Sequence, residues 1–580
     1  MNNLTWFWEW YYKKKVIIMK SVLDYIKSLI SDNNNNNYQF ILPNKENYSY
    51  TTQPEDLLKN KKVFSNLDVN LEYVNSRFNS LLNSDIKIRE FVINVKSKQF
   101  KAFILYVDGM VDKDSINDSV LKPLMLRNRA NQYDGNQIIS EAVANNIMVR
   151  KIKKFSIVDY IFDNLLPQND VEKVNSFDKI SEDVVSGNCI LFVDTVNFVF
   201  DIDTKKFDKR SIAEAKNEPV IMGSQEAFVE NLRTNTSMIR RNLCNENLVI
   251  EKLTVGKTDK NQCAVCYLKN IANSDLVAEV KYRLNNLDVE YINSIGELQQ
   301  LIKDDIGTTV PETISTERVD KATAHILEGR VVVIFNGVPY VLIMPVTMLD
   351  FLSSPEDTNI NPVFANLLKV IRAISFFITL LLPGLYIAIT TYHGELIPTG
   401  LLFSIIASRA KVPFMVIVEI ILMEVSFEII REAGVRVPSP LGSTVGIVGA
   451  LILGQAAVQA DIVSPILIIN IAITAITSFA IPDYNFSFHL RINRFLFIVL
   501  GFLAGFFGIA IGLFIYLVKL CSLKSFGVSY LAPYSPFTKN KSTSYLLEPI
   551  WKREKRADFL ATQKSQIQNH ISMKWRKKGD

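Results

Sequence analysis

Histidine is scarce in this chain, with four among 580 residues. General acid–base catalysis and metal binding both draw first on that residue, so an enzyme would have little to work with. Before Asn361 there is no glycine-rich phosphate loop, no Ser/His/Asp order and no metal-spaced histidine cluster. We therefore expect no enzyme, and no catalytic, cofactor-binding or metal-binding residues. Cysteine is sparse as well: five scattered residues cannot build a disulfide framework, and a reducing compartment fits. Cys263 and Cys266 do form a C-x-x-C, but within "QCAVCYLKNIA", which alternates like a buried strand. Residues three apart on a strand point to opposite faces, which argues against zinc or redox chemistry. The first 360 residues also lack any apolar run near the roughly 18 residues that a bilayer-spanning helix requires, so they read as soluble. No secretory signal opens the chain. "MNNLTWFWEWYYKKK" puts its apolar patch ahead of its charges and has no small-residue cleavage site. The soluble part is expected to stay on the side of synthesis, with Met19 an alternative start to Met1.

What is present falls into contrasting parts. We read a variable N-terminal segment, 1–37, with an Asn run from Asn33 to Asn37 as its joint; a soluble α/β subdomain, 38–210; a linker helix, 211–245; a second soluble α/β subdomain, 246–360; a membrane domain of five to six hydrophobic segments, 361–538; and a basic tail, 539–580. The formal net charge is +5, and Lys539 to Asp580 holds eleven Lys/Arg against four Asp/Glu, so the tail carries +7 and the rest about −2. A basic tail after the last span belongs on the anionic, cytoplasm-type face of a bilayer. No nucleic-acid recognition fold accompanies it, so we expect no nucleic-acid partner.

The soluble half reads as a duplication. "KAFILYVDGMVDKDSINDSVLKPL", Lys101 to Leu124, is a buried strand, a turn at Asp108-Gly109 and a capped helix; "CAVCYLKNIANSDLVAEVKYRL", Cys263 to Leu284, repeats that order. Each is followed by a hairpin, Ser186 to Asp203 and Glu328 to Pro345, and Asn336-Gly337 supplies the left-handed pair of a tight turn in the second. Between the copies an amphipathic helix carries Arg233, Arg240 and Arg241. These either meet phosphate or a partner's acidic face, or pair internally with Glu226 and Glu230, the simpler reading. The fold class expected is therefore α+β, two similar small α/β subdomains followed by an all-α polytopic membrane domain.

The apolar segments run about Phe364 to Thr391, Ile397 to Ala407, Val412 to Ile430, Ser443 to Ala460, Ile462 to Ile481 and Leu496 to Leu520. The second covers only about half of a 30 Å core and is re-entrant or part of a broken span, with Pro398 and Pro413 marking the breaks. With both ends inside, the number of crossings is even. Arg409 and Lys411 then suit an inner joint, whereas Arg431 with Arg436, and Arg491 with Arg494, fall outside and count against that topology. Glu419, Glu424 and Glu428 sit within a spanning-length run, where an isolated charge costs several kcal/mol unless it meets water, a partner or a proton. Two readings stand: a cation or proton pathway, or helix-to-helix bonding, with Arg431 three residues beyond Glu428 as a possible salt-bridge partner. Gln455, Gln459, Asp461 and Asn470 add polarity, and Gly446, Gly449, Ala450 and Gly454 permit close helix packing. This polarity exceeds what a passive anchor needs and points to a pore, a transporter or a subunit of one.

At this point the residues resemble a family. "GSQEAFVENLRTNTSMIRRNL", "SPEDTN", "LLPGLYIAITTYHGELIPTGLL", "ASRAKVPFMVIVEIILMEVSFEIIREAGVRVPSPLG", "VGIVGALILGQAAVQADIVSPILIIN", "SFAIPDYN" and "SFGVSYLAPYSPF" occur in the order found in the A subunit of GerA-type spore germinant receptors. The resemblance covers roughly Leu105 to Phe537. It implies a multi-pass protein of the bacterial endospore inner membrane, with the soluble region and the tail on the core side. Its partners would be a transporter-like B subunit that senses nutrients, a lipoprotein C subunit, further copies of itself and the lipid bilayer. The implied function is a homo-oligomeric nutrient-gated cation channel that starts germination. Glu419, Glu424, Glu428, Gln455, Gln459 and Asp461 are then candidates for the ion path, and Pro383, Gly384, Pro398 and Pro413 for a gating break. The membrane protein encoded with the spore dipicolinate channel shares most of these motifs and is the nearest rival; a proton-coupled transporter subunit and a structural scaffold are others.

Overall fold

The computed structural model describes residues 40–42, 61–126 except 96–97, 171–206, 215, 217–436, 452–537, 546–547, 549 and 556–562. The N-terminal segment with Met19 and the Asn run, most of the basic tail, and Gly446, Gly449 and Ala450 lie outside the described residues.

Two five-stranded antiparallel sheets form the first half. The first contains β1 (Ile86–Val95), β2 (Lys98–Val107), β3 (Val171–Val174), β4 (Cys189–Val193) and β5 (Val199–Ile202) in the order β1-β2-β4-β5-β3. The second contains β6 (Leu248–Val255), β7 (Asn261–Leu268), β8 (Ile314–Thr316), β9 (Val331–Phe335) and β10 (Val341–Met344) in the order β6-β7-β9-β10-β8, the same path repeated. Strands β4, "CILFV", and β9, "VVVIF", are buried throughout because each sheet is covered on both faces, which is why they read as continuous apolar runs. In the first sheet Ile104, Leu191 and Phe200 pack on one face, Phe103, Ile190 and Phe192 on the other. Cys263 and Cys266 enter the cores on opposite sides of the second sheet, as the strand alternation requires.

Helix α1 (Leu67–Arg77) and helix α2 (Phe177–Ser186) cover the first sheet. Helix α3 (Leu232–Asn242) joins the halves, and α4 (Ser274–Asn285) and α5 (Val319–Glu328) cover the second sheet. The repeat extends to the helix ends: α2 stops at Gly187 with φ 104° and α5 at Gly329 with φ 102°, a left-handed cap that a side chain rarely tolerates. The second hairpin differs from expectation. Only Gly337 is left-handed, at φ 89°, so the turn is a longer loop and not a two-residue Asn-Gly turn.

The second half is helical: α6 (Pro362–Tyr392), α7 (Thr399–Arg409), α8 (Val416–Arg436), residues 452–459, α9 (Pro465–Phe479) and α10 (Tyr484–Ser522). The single span expected from Leu496 to Leu520 does not exist as such. Ala504 (φ −139°, ψ 15°) and Gly505 (φ 60°, ψ −139°) break α10, and Gly505 holds a conformation close to glycine-only territory. The two arms fold back on each other, since the Tyr516 hydroxyl reaches His489 Nε2 at 3.0 Å and Phe497 packs edge-on to Tyr516. Arms of residues 484–503 and 506–522 are about 30 Å and 26 Å long at 1.5 Å per residue. Hydropathy sees one apolar stretch because the turn residues, Ala and Gly, are themselves apolar.

The hairpin also fixes which end of the helical region faces the sheets. Phe486 stacks on Phe351 and Phe376 with centroids 5.4 and 6.0 Å apart, and after α10 the Tyr530 carbonyl accepts from the Met348 amide at 2.8 Å. The chain therefore enters and leaves the helical region at the end next to the second sheet. At the far end the Tyr392 hydroxyl donates to Phe502 O at 2.8 Å and His393 stacks on Phe506 at 4.7 Å. This reverses two charge assignments. Arg431 donates to Ser478 Oγ at 2.6 Å, and Ser487 beside Phe486 donates to the Ser478 carbonyl, so Arg431, Arg491 and Arg494 lie toward the sheet end. Arg409, 3.6 Å from Glu419, lies toward the far end, with Lys411 close after it in sequence. The arginines that counted against an even number of crossings thus stand on the side that the charge rule favours.

Candidate functional site in the helical region

Helices α8 and α10 present complementary charges. Glu424 and Glu428 stand four apart on α8, one turn along a face, and Arg491 and Arg494 three apart on α10. Arg494 lies 2.7 Å from Glu424 and 3.3 Å from Glu428, and Arg491 2.5 Å from Glu428. Glu424 and Arg494 are buried, with side chains 2% and 3% exposed, whereas Glu428 keeps 30%. Both carboxylates thus find cations on a helix more than sixty residues away. Arg431, the local partner suggested by spacing, instead bonds Ser478 and lies over the Phe479 ring at 4.3 Å. Glu419 stands apart: its Oε2 accepts from the Ser464 amide at 3.2 Å, with the Arg409 guanidinium 3.6 Å away. The signal that could have found the partners is the Arg491/Arg494 pair, two cations on one helical face beside a long apolar run.

Gln455, Gln459 and Asp461 do not join this cluster. The two glutamines lie one turn apart on residues 452–459, and all three side chains are exposed on the outside of the helical region. Asn470 is buried on α9. Pro383 and Gly384 lie inside α6, which runs unbroken through them. Gly384 is a crossing point: a Cβ there would lie 2.7 Å from the Phe497 carbonyl oxygen, and one on Gly501 2.5 Å from the Gly384 oxygen. Pro398 caps α7, and Pro413 lies in the joint between α7 and α8. Helix α7 is about 16 Å long and only Ile405 on it is buried.

The three arginines of α3 turn inward. Arg240, 1% exposed, makes a forked pair with Asp85 (Nη2 to Oδ1 3.0 Å, Nε to Oδ2 3.1 Å) and donates to Leu248 O at 3.1 Å. Arg233 meets Asp108 at 2.8 Å and Arg241 meets Glu226 at 2.6 Å. Two of the three therefore clamp α3 to the first sheet module; the partner of Arg240 is Asp85 and not Glu230. Among the described residues no group of three or more His, Cys, Asp or Glu side chains is placed to hold a metal ion.

Residues 72–559 match the family model described as Bacillus/Clostridium GerA spore germination protein. The chain is 38% identical over 480 residues to spore germination protein KA of Bacillus subtilis (strain 168), covering 83% of this chain and 84% of that protein. It is 32% identical over 496 residues to the uncharacterized membrane protein YfkQ of the same organism, covering 85% of this chain and 91% of that one. Among solved structures, the crystal structure of the N-terminal domain of the A subunit of the Bacillus megaterium spore germinant receptor GerK3 aligns with 49% of this chain and 96% of its own, at 28% identity and a TM-score of 0.35.

Proposed function

The chain belongs to the Bacillus/Clostridium GerA spore germination protein family, with the role in spore germination that this carries, and on that premise we propose that it forms an oligomeric nutrient-gated cation channel as a receptor A subunit. The observation that carries the channel reading is the exposed polar face of Gln455, Gln459 and Asp461 on an otherwise apolar helical region. An amide or carboxylate facing hydrocarbon without a partner is costly, whereas the same groups facing other copies around a water-filled path are satisfied. Of the three carboxylates on α8, Glu428 keeps the most exposure and is the one suited to meet a cation on that path; Glu424 and Glu419 hold helices together. Helix α7, bounded by Pro398 and Pro413, is the movable element. The nutrient would be sensed with a transporter-like B subunit, and a lipoprotein C subunit would complete the complex in the spore inner membrane, with the sheet modules and tail on the core side. The sheet modules, within the boundaries expected from the sequence, carry the contacts between subunits. The test is cation flux from liposomes holding this chain with its B and C partners, exposed to amino acids and sugars. Nutrient-dependent flux that falls at least tenfold in Glu428→Gln is expected; flux unchanged by Glu428→Gln and by Gln455→Leu/Gln459→Leu, at normal assembly, overturns the assigned path.

A further inference from the structure

One loop of the second sheet module holds both feet of the α10 hairpin. It spans residues 303–312, between the short helix Ile295–Leu301 and β8. On the first arm, His489 Nδ1 is hydrogen-bonded to Thr309 Oγ1 at 2.7 Å, and its Nε2 to the Tyr516 hydroxyl of the second arm at 3.0 Å. The ring is 3% exposed, and Asn493 one turn on donates to the His489 carbonyl at 2.9 Å. A neutral imidazole donates from one nitrogen and accepts at the other, and hydroxyls serve either role, so Thr309, His489 and Tyr516 form a continuous chain across the hairpin. A small cavity lies beside them, lined by Thr308, Leu500 and Gly512 as well as these residues.

The same loop grips the exit of the second arm. Asp304 Oδ2 accepts from the Phe526 amide at 2.6 Å, and the Ser525 hydroxyl donates to the Glu312 carbonyl at 2.7 Å. Phe526 is fully buried with its ring under the Arg283 guanidinium, 4.3 Å away. Arg283 on α4 in turn donates to Asp304 at 2.5 Å and to Ile302 O at 2.8 Å. A displacement of α4 therefore reaches the loop through Arg283, and the loop cannot shift by an ångström without breaking a buried hydrogen bond to one arm or the other.

We infer that the loop of residues 303–312 is the coupling element between the second sheet module and the α10 hairpin, with Thr309, His489 and Tyr516 as its positioning residues. Simple packing would need no such chain, since apolar contact fills space without leaving buried polar groups at stake. The inference deepens the channel reading, because it assigns the contact through which a nutrient-driven change in the sheet modules moves helices. Coupling is reciprocal, so each end must report on the other.

The experiment is hydrogen exchange, read by mass spectrometry, on the full chain in lipid nanodiscs. Thr309→Val is expected to raise exchange about fivefold or more in peptides covering 512–522, and Tyr516→Phe to do the same in peptides covering 303–312. The double variant should exceed neither single by much, and Thr309→Ser should restore the wild-type pattern. Changes confined to the substituted element overturn the inference; if Thr309→Val fails to fold, Tyr516→Phe read at the loop decides alone. The assay uses no nutrient and no flux, so exchange coupling in a chain without conductance sinks only the channel reading, and conductance without coupling sinks only this one.

Discussion

The pair Arg240 and Asp85 offers the sharpest test of how the two sheet modules are joined. Their side chains are 1% and 5% exposed, and the guanidinium approaches both carboxylate oxygens. Asp85→Asn keeps the shape but leaves Arg240 charged in a dry site, and breaking one partner of such a pair costs about 3–5 kcal/mol. A single domain is stable by only about 5–15 kcal/mol, so the joint should open locally long before the sheets melt. At about 1.4 kcal/mol per tenfold, amides of α3 and of β6 near Leu248 should exchange at least a hundredfold faster in the full chain. Asp85→Leu with Arg240→Met removes both charges. Leu248 O then loses the Arg240 donor but keeps Asn83 Nδ2 at 3.3 Å, so most of the protection should return. Wild-type exchange in Asp85→Asn, or a double variant as fast as the sum of the singles, would refute the reasoning.

Two further outcomes follow from the geometry. Burial and the neighbouring Asp304 raise the Glu312 carboxyl from the ordinary 4.5 to about 8, so the folded chain holds a proton there that the unfolded chain has released. Its contribution to stability must therefore decline as pH rises from 4.5 through 8, and melting of the full chain followed from pH 5 to 9 should flatten in Glu312→Gln. Gly501→Ala would set a Cβ 2.5 Å from the Gly384 carbonyl oxygen, a backbone atom that cannot turn aside. We expect α6 and α10 to be pushed apart, with the melting temperature lower by several degrees, and a melt equal to wild type would remove the crossing from the account.

Much of the architecture was legible because it rests on local pattern. Alternation and apolar runs mark β4, β7 and β9, and the glycines after α2 and α5 mark helix ends, so the duplicated sheet modules followed by apolar helices could be read directly. The intramembrane carboxylates were legible as exceptional, since charge inside an apolar run needs a reason. Their partners were not: Arg491 and Arg494 belong to a helix that nothing local connects with α8, and they had been weighed only as topology signals. The same holds for Asp85, which answers Arg240 from 155 residues away.

The sequence by itself determined which segments would be strand, which would be apolar helix and which residues would be anomalous there, because those properties depend on side-chain chemistry at short spacing. Only the tertiary structure decided that one apolar stretch folds back at Ala504-Gly505, that the arginine clusters sit at the sheet end, and that each buried charge has its counter-charge on a distant element. A turn made of small apolar residues leaves no mark in hydropathy, and a pairing across helices is set by how their surfaces cross. Both are properties of packing, which no window of neighbouring residues contains.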